Sequence, residues 1–310
     1  MWVLGAEHHQ KKLDGVLKTL LSVPWSEARR MLETGKVSVN GEVMMQGERT
    51  VREGQKLELR LRAPKPETAR LLALKDILLV HLDASVVVVR KPAGVSTVPF
   101  GDMTPDEERG CLDALVRELL ARRDRVRGRA ELGVVHRLDK ATSGLLVFAR
   151  TLAAKKHLSQ QFRAHTVHRL YLAVAHGDVR RQTRRSHLMA DRGDGLRGSF
   201  EESGRSHGQE GQLAVTHIEP LERLRGATLI ACKLETGRTH QIRIHLYEAG
   251  HPIVGESVYI RDFAGPIIPS SRLLLHAAEL GFEHPATGKP MFFREPPPPE
   301  FERELARLRL

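Results

Sequence analysis

The spacing of apolar and polar residues changes period several times along the chain, and each change marks an element. Near the start, Val16, Leu17, Leu20 and Leu21 recur at helical spacing behind Asp14, a residue type that caps helices. A second helix is predicted from Ser26, with Ala28, Met31 and Leu32 turned inward and Gly35 as its stop. The period then drops to two. Residues 36–43 (Lys-Val-Ser-Val-Asn-Gly-Glu-Val) alternate around an Asn-Gly dipeptide, the signature of a tight hairpin. Gly54 opens a further strand over 56–61, with Leu57, Leu59 and Leu61 on one face. Pro64 and Pro66 then break the alternation, so 63–75 reads as a linker.

Beyond it, residues 77–82 and 85–89 are short, apolar and β-branched, as buried strands are. They run into Arg90-Lys91-Pro92-Ala93-Gly94, a basic turn in which Lys91 would suit a phosphate contact. Residues 104–123 start with Thr-Pro-Asp and read as one amphipathic helix through Leu112, Leu115, Val116, Leu119 and Leu120; 122–129 is a charge-dense loop. Two apolar β-type runs flank a polar break within 134–149, a basic helix is expected over 151–163, and a strand carrying Tyr171 over 167–177. Residues 178–211, rich in Arg, Gly, Ser and Glu, read as an extended surface excursion. Strands are expected over 213–218, 227–234 and 273–277. A helical run comes after Gly237, and a short charged helix over 300–309 after the proline run 296–299.

The 310 residues can hold one large and one small domain. Hydrophobic content of 41% and charge of 28% are ordinary for a globular protein, but a formal charge of +11 is not, and it points to a polyanionic partner. No apolar run approaches a membrane span, and the start has no signal-peptide pattern. Cys111 and Cys232 are too few and too far apart for a disulfide framework or a zinc knuckle, so a reducing, cytoplasmic setting is expected. His240 and His245 are five residues apart, not the i, i+4 pair of zinc helices, and no metal is expected.

The densest chemistry lies in 134–149, where Asp139 sits between Arg137 and Lys140 and should stay ionised, because nearby positive charge favours the carboxylate. A strand-turn-strand corner would use the same Asp and Thr only to bond its turn, so the motif by itself leaves the choice open. Arg29, Arg30 and Lys36 cluster on and just after the second helix. With Gly-Lys-Val-Ser-Val-Asn-Gly at the joint, residues 13–62 resemble the alpha-L RNA-binding module. The expected division is a tail over 1–12, this module over 13–62, the linker over 63–75 and a catalytic domain over 76–310.

Two motifs about a hundred residues apart, His-Arg-Leu-Asp-Lys-Ala-Thr-Ser-Gly-Leu-Leu-Val-Phe-Ala from His136 and Thr-Gly-Arg-Thr-His-Gln-Ile-Arg-Ile-His from Thr236, resemble the RluA-type family of RNA pseudouridine synthases. Lys91-Pro92-Ala93-Gly94, Tyr171-Leu172-Ala173-Val174 and Gly250-His251-Pro252-Ile253-Val254-Gly255 match the same family in the same order. The resemblance implies an α+β fold: a mixed, mostly antiparallel central sheet with a cleft, behind the small N-terminal module. It implies that Asp139 is the catalytic aspartate, Tyr171 the aromatic that stacks on the target base and Arg243 the partner of Asp139. Arg137 would help to extrude the base and Leu275 would line the pocket, with Arg29, Arg30, Lys36, Lys91 and His240 as RNA contacts. It further implies a cofactor-free, monomeric enzyme acting on RNA, with large-subunit ribosomal RNA ahead of transfer RNA. Arg169 stands where relatives often have lysine, and the charge is kept. A non-catalytic RNA binder has no need of Asp139, Tyr171 and Arg243 together. A hydrolase using Asp139 as nucleophile lacks a second base or oxyanion motif.

Overall fold

The computed structural model describes residues 1–33, 35–44, 47, 49–60, 78–125, 130–191, 196–200 and 211–309. The linker expected over 63–75, the tip of the charge-dense loop and parts of the 178–211 stretch lie outside the described residues. The chain divides into two compact units. One comprises the N-terminal part with Pro99–Gly110, the other Asp76–Val98 with Cys111–Leu310.

In the first unit, helices α1 (Leu13–Leu21) and α2 (Trp25–Glu33) accompany a four-stranded antiparallel sheet. Its strands are β1 (Trp2–Val3), β2 (Val37–Val39), β3 (Glu42–Val43) and β4 (Lys56–Leu59), in the order β1-β4-β2-β3. Leu13, Val16, Leu17, Ala28, Leu32, Val37, Val39 and Leu57 form one buried cluster, the apolar stripes predicted from periodicity. Asn40 and Gly41 both have positive φ, as an Asn-Gly hairpin turn requires.

Four local expectations change here. Residues 1–12 are not a tail: Trp2 pairs with Leu57, Val3 with Lys56, and Leu4 is buried. Asp14 is not a cap, because α1 begins one residue earlier and its first amides are already satisfied, Leu13 N donating to Arg49 O and Asp14 N to Gly47 O. Ser26 lies inside α2 rather than before it. The single helix expected over 104–123 is two, α3 (Pro105–Arg109), capped by Thr104 and Glu107, and α4 (Leu112–Asp124), broken at Gly110 and Cys111.

The second unit is an eleven-stranded sheet. Its strands are β5 (Leu78–Leu82), β6 (Val86–Lys91), β7 (Gly133–Val134), β8 (Ser143–Ala149), β9 (His168–His176), β10 (Gln182–Met189), β11 (Gly198–Ser199), β12 (Gln212–Leu224), β13 (Ala227–Leu234), β14 (Leu275–Glu283) and β15 (Pro290–Arg294). The order is β11-β10-β12-β13-β9-β14-β8-β6-β5, with β15 on β14 and β7 on β8. Every pairing is antiparallel except β8 with β14, so the sheet is mixed and mostly antiparallel, as expected. Val86, Val87, Val88 and Val89 are all fully buried, which requires cover on both faces. Helix α5 (Leu152–Arg163), capped by Thr151, covers one of them, packing Ala154 and Leu158 on Val86, Val88, Leu145 and Val147.

Among the described residues the unit has two further helices, α6 (Gln241–Glu248) and α7 (Pro299–Leu308). Among the described residues no helix is long and apolar enough to cross a membrane. The expected surface excursion over 178–211 is partly sheet: Gln182–Met189 pairs with β12 along seven residues. Thr183, Arg185 and His187 face solvent while Ser186 and Leu188 are buried, so this strand carries its polar face outward.

The central pairings set up the site. His276 of β14 lies beside Ser143 at the start of β8, and Ala277 lies beside Tyr171 of β9. The polar loop that ends at Ser143 therefore emerges next to the tyrosine strand.

Candidate active site

The loop carrying Asp139 is held from beneath by side chains of the preceding strand and turn. The Thr97 hydroxyl donates to Leu138 O at 2.8 Å and accepts from Leu138 N at 3.1 Å. Lys91 Nζ donates to Pro92 O, Val95 O and Lys140 O at 3.0, 2.7 and 3.1 Å. This corrects the expected phosphate contact: Lys91 is fully buried, and its ammonium is enclosed by three carbonyls. Burial pushes its pKa down to about 7, with Asp139 opposing that shift. Thr142 N closes the turn on Asp139 O at 3.1 Å. At Gly144 the chain passes β14 so closely that a Cβ would overlap the backbone of Ala277, and φ is +118°, so only glycine fits there.

Asp139 projects from this loop with its side chain 17% exposed. Arg243 Nη1 lies 3.6 Å from Asp139 Oδ2, and His240 Nε2 lies 3.9 Å from Oδ1. Both come from the α6 region, whose entrance is fastened by one amide. Gln241 Oε1 accepts from Thr236 Oγ1 and Arg238 N, while its Nε2 donates to Val215 O and Thr216 Oγ1. All the bonds a glutamine amide can readily form are made, so the turn has one geometry.

Arg243 is oriented by a carboxylate that sequence reasoning missed. Glu256 accepts from Arg243 Nε and Nη2, both at 2.7 Å, in a bidentate fork, and also accepts from Ser257 N and Val258 N. Burial works against both charges. The fork outweighs it, holding the Glu256 carboxyl below its ordinary range and the Arg243 guanidinium above its own. Tyr259 adds a second brace: its hydroxyl is 2.8 Å from His240 Nδ1, and its ring lies 5.2 Å from the Arg243 guanidinium carbon. Burial is the main cause lowering the His240 pKa, partly offset by Asp139. His240 thus stands beside Asp139 and lines the same cleft.

These groups line a cleft of about 500 Å³ shared by Asp139, Tyr171, Arg243, His240, Leu275 and Arg137. Tyr171 is 9% exposed, and burial raises its phenol to about 12, with Arg169 opposing, which keeps the hydroxyl neutral. Leu275 supplies an apolar wall. Arg137 is exposed and forms no hydrogen bond or ion pair with the described residues, so its guanidinium is available at the cleft. His136, next to it, turns inward, stacking on Phe162 at 4.4 Å and accepting from Val147 N through Nε2. Burial drives its pKa down to about 3.

The three basic residues assigned to the first unit are less free than their sequence suggests. Arg29 Nε donates to the buried Asp14 at 3.1 Å, tying α2 to α1. Arg30 and Lys36 both act on Glu107 of α3, whose carboxyl is lowered against the effect of its burial, first by bonds to Thr104 and then by these two charges. Among the described residues no three of His, Cys, Asp and Glu come together as a metal site.

Comparison with known proteins shows the family. Residues 85–248 match the family model described as RNA pseudouridylate synthase. Over 96% of its length the chain is 35% identical to the ribosomal large subunit pseudouridine synthase D of Neisseria meningitidis, covering 79% of that protein. It is 33% identical over 97% of its length to the uncharacterized RNA pseudouridine synthase YlyB of Bacillus subtilis, covering 96% of it. The structure of human RNA pseudouridylate synthase domain containing 4 superposes with a TM-score of 0.61 at 23% identity, over 78% of this chain and 97% of that one, a likeness that speaks for the fold. The matched segment contains Asp139, Tyr171 and Arg243, and the chain belongs to the RNA pseudouridylate synthase family as an RNA pseudouridine synthase.

Proposed function

We propose that this enzyme isomerises uridine to pseudouridine in large-subunit ribosomal RNA, with Asp139 as the catalytic carboxylate. The observation that carries the reading is the approach of Arg243 to Asp139 at 3.6 Å in a cleft that also holds Tyr171. The ribosomal substrate is supported by the printed name of the Neisseria relative and by the formal charge of +11.

The reaction breaks the N1–C1′ bond of uridine, turns the uracil, forms a C5–C1′ bond and moves a proton from C5 to N1. No atom is gained and no electron is transferred overall, so the proposal names no cofactor. The target base must first leave its stack, at a cost of a few kcal/mol. Stacking on Tyr171 returns roughly 1–3 kcal/mol, Leu275 closes the apolar side, and the free guanidinium of Arg137 enters the space that the base vacates. Arg243, itself fixed by Glu256, holds the Asp139 carboxylate toward the reacting ribose and base. The small N-terminal unit acts as the alpha-L RNA-binding module, with Arg29, Arg30 and Lys36 adding phosphate contacts and His240 helping to line the substrate cleft.

The test is tritium release from C5-labelled, unmodified large-subunit ribosomal RNA transcripts. Asp139→Asn is expected to abolish release while leaving RNA affinity within about threefold, since the change is isosteric. Release at the wild-type rate refutes the role of Asp139. Release from transfer RNA but not from ribosomal transcripts refutes the substrate.

A further inference from the structure

Arg169 carries a charge that none of the described residues balances. It sits in β9, is only 7% exposed and lines the catalytic cleft. Its Nη2 donates to Glu235 O at 2.8 Å, its guanidinium lies 5.7 Å from the Phe162 ring centroid, and its Nε has no hydrogen-bond partner. Among the described residues no carboxylate pairs with it. Burial pulls its pKa down, Tyr171 opposes that shift, and a second cation, Arg238, adds to it. A buried ion without a counter-ion costs several kcal/mol, and a buried orphan N–H adds to that cost. Such an arrangement persists where a ligand supplies the missing group.

The backbone makes room for this guanidinium. A Cβ on Gly237 would meet Arg169 Nη1, so the glycine leaves space for the guanidinium where it lies. Arg169 and Tyr171 are two apart on one strand and so share a face, about 7 Å apart along it. That is one nucleotide's reach from base to backbone. Uracil is neutral and is met by the tyrosine face, whereas the formal anion of RNA is its phosphodiester.

We propose that Arg169 is the receptor for a phosphodiester of the nucleotide whose base stacks on Tyr171, a buried phosphate subsite inside the cleft. The proposal rests on the reading that this cleft takes the extruded uridine. Phosphate entry completes the ion pair, satisfies Nε and fixes the nucleotide's backbone while its base turns.

The test uses full-length Arg169→Met and Arg169→Lys, each also combined with Asp139→Asn, and an unmodified large-subunit ribosomal RNA transcript. Arg169→Met is expected to weaken binding on the order of 10- to 100-fold, the effect of losing a charge-assisted contact. The slope of log affinity against log salt should fall by about 0.7–0.9, one phosphate contact. The melting temperature of the RNA-free protein should hold or rise, because an unbalanced buried charge has been removed. Arg169→Lys should restore the slope. An unchanged slope with a lowered melting temperature would overturn the proposal and make Arg169 a structural residue. Because slopes are read in the Asp139→Asn background, they do not depend on turnover. Failure of the catalytic reading would appear separately, as isomerisation by Asp139→Asn alone.

Discussion

Glu256→Gln isolates the residue that orients the site without touching the substrate. The wild-type fork is two 2.7 Å bonds between side chains that are 1% and 7% exposed, so solvent screens it little. Removing one partner of a buried pair costs about 3–5 kcal/mol, but glutamine keeps one oxygen for one of the two bonds, so about 2–3 kcal/mol is expected. For a unit of this size that corresponds to a melting temperature lower by roughly 4–10 °C. Arg243, losing its anionic anchor, swings toward Asp139, and a displacement near 1 Å in a reacting geometry can cost about a hundredfold. Tritium release should therefore show kcat down about a hundredfold with KM within about threefold. The folded Glu256 carboxyl lies below its ordinary value, so its stabilisation is present above that value and is lost as pH falls through the folded pKa. The stability gap between wild type and variant should accordingly narrow as the pH is lowered below about 4.5. Wild-type kcat in a variant with a lowered melting temperature would refute the positioning role, and an unchanged melting temperature would refute the energetics.

Two further outcomes concern other parts of the unit. Lys91→Met removes the donor shared by Pro92, Val95 and Lys140, leaving buried carbonyls unmet; a loss of about 2–4 kcal/mol in denaturant unfolding and a matching fall in kcat are expected, with the salt slope of RNA binding unchanged. Asp83 accepts from Ser85 N and Val86 N and meets His81 and His284, and these contacts overcome its burial to bring its carboxyl to about 2. Its contribution is present above about pH 3.8 and lost toward pH 2, so Asp83→Asn should flatten the acid limb of the melting-temperature profile.

Local signals carried the reading of the fold as far as they reach. Alternation and helical spacing located β6, β8, β9, β13 and α5 because each buries an apolar face. Strand β10 escaped because its outward face is Arg, Thr and His and its inward face includes Ser186. The excess of polar residues there is strand alternation with one solvated side, not the absence of structure. The sheet order was out of reach: nothing local makes β8 run parallel to β14. Within the site, Asp139, Tyr171 and Arg243 stood inside dense motifs. Glu256 was a single acid in a loop, and Tyr259 a single aromatic beyond it. Their importance comes from the fold bringing them beneath α6. Lys91 misled because a basic turn looks the same whether its ammonium faces solvent or three carbonyls.

Two buried arginines of the cleft, Arg243 and Arg169, show why charge counting along a sequence does not assign roles. Both are buried to the same degree, 7% exposed. Arg243 is saturated by Glu256 on one edge and presents Nη1 to Asp139, so its charge is already balanced before RNA arrives and its work is orientation. Among the described residues Arg169 has a backbone oxygen, a ring face and an unmet Nε, and on the proposed reading its balance comes from the ligand. A balanced cation can hold a carboxylate in place over many turnovers at no cost to substrate release. An unbalanced one draws the polyanion inward, and its attraction is greatest where water is scarcest. If one residue did both, tightening the grip on phosphate would pull it away from Asp139. In the proposed division of tasks, α6 holds the carboxylate still while β9 grips the nucleotide that turns against it.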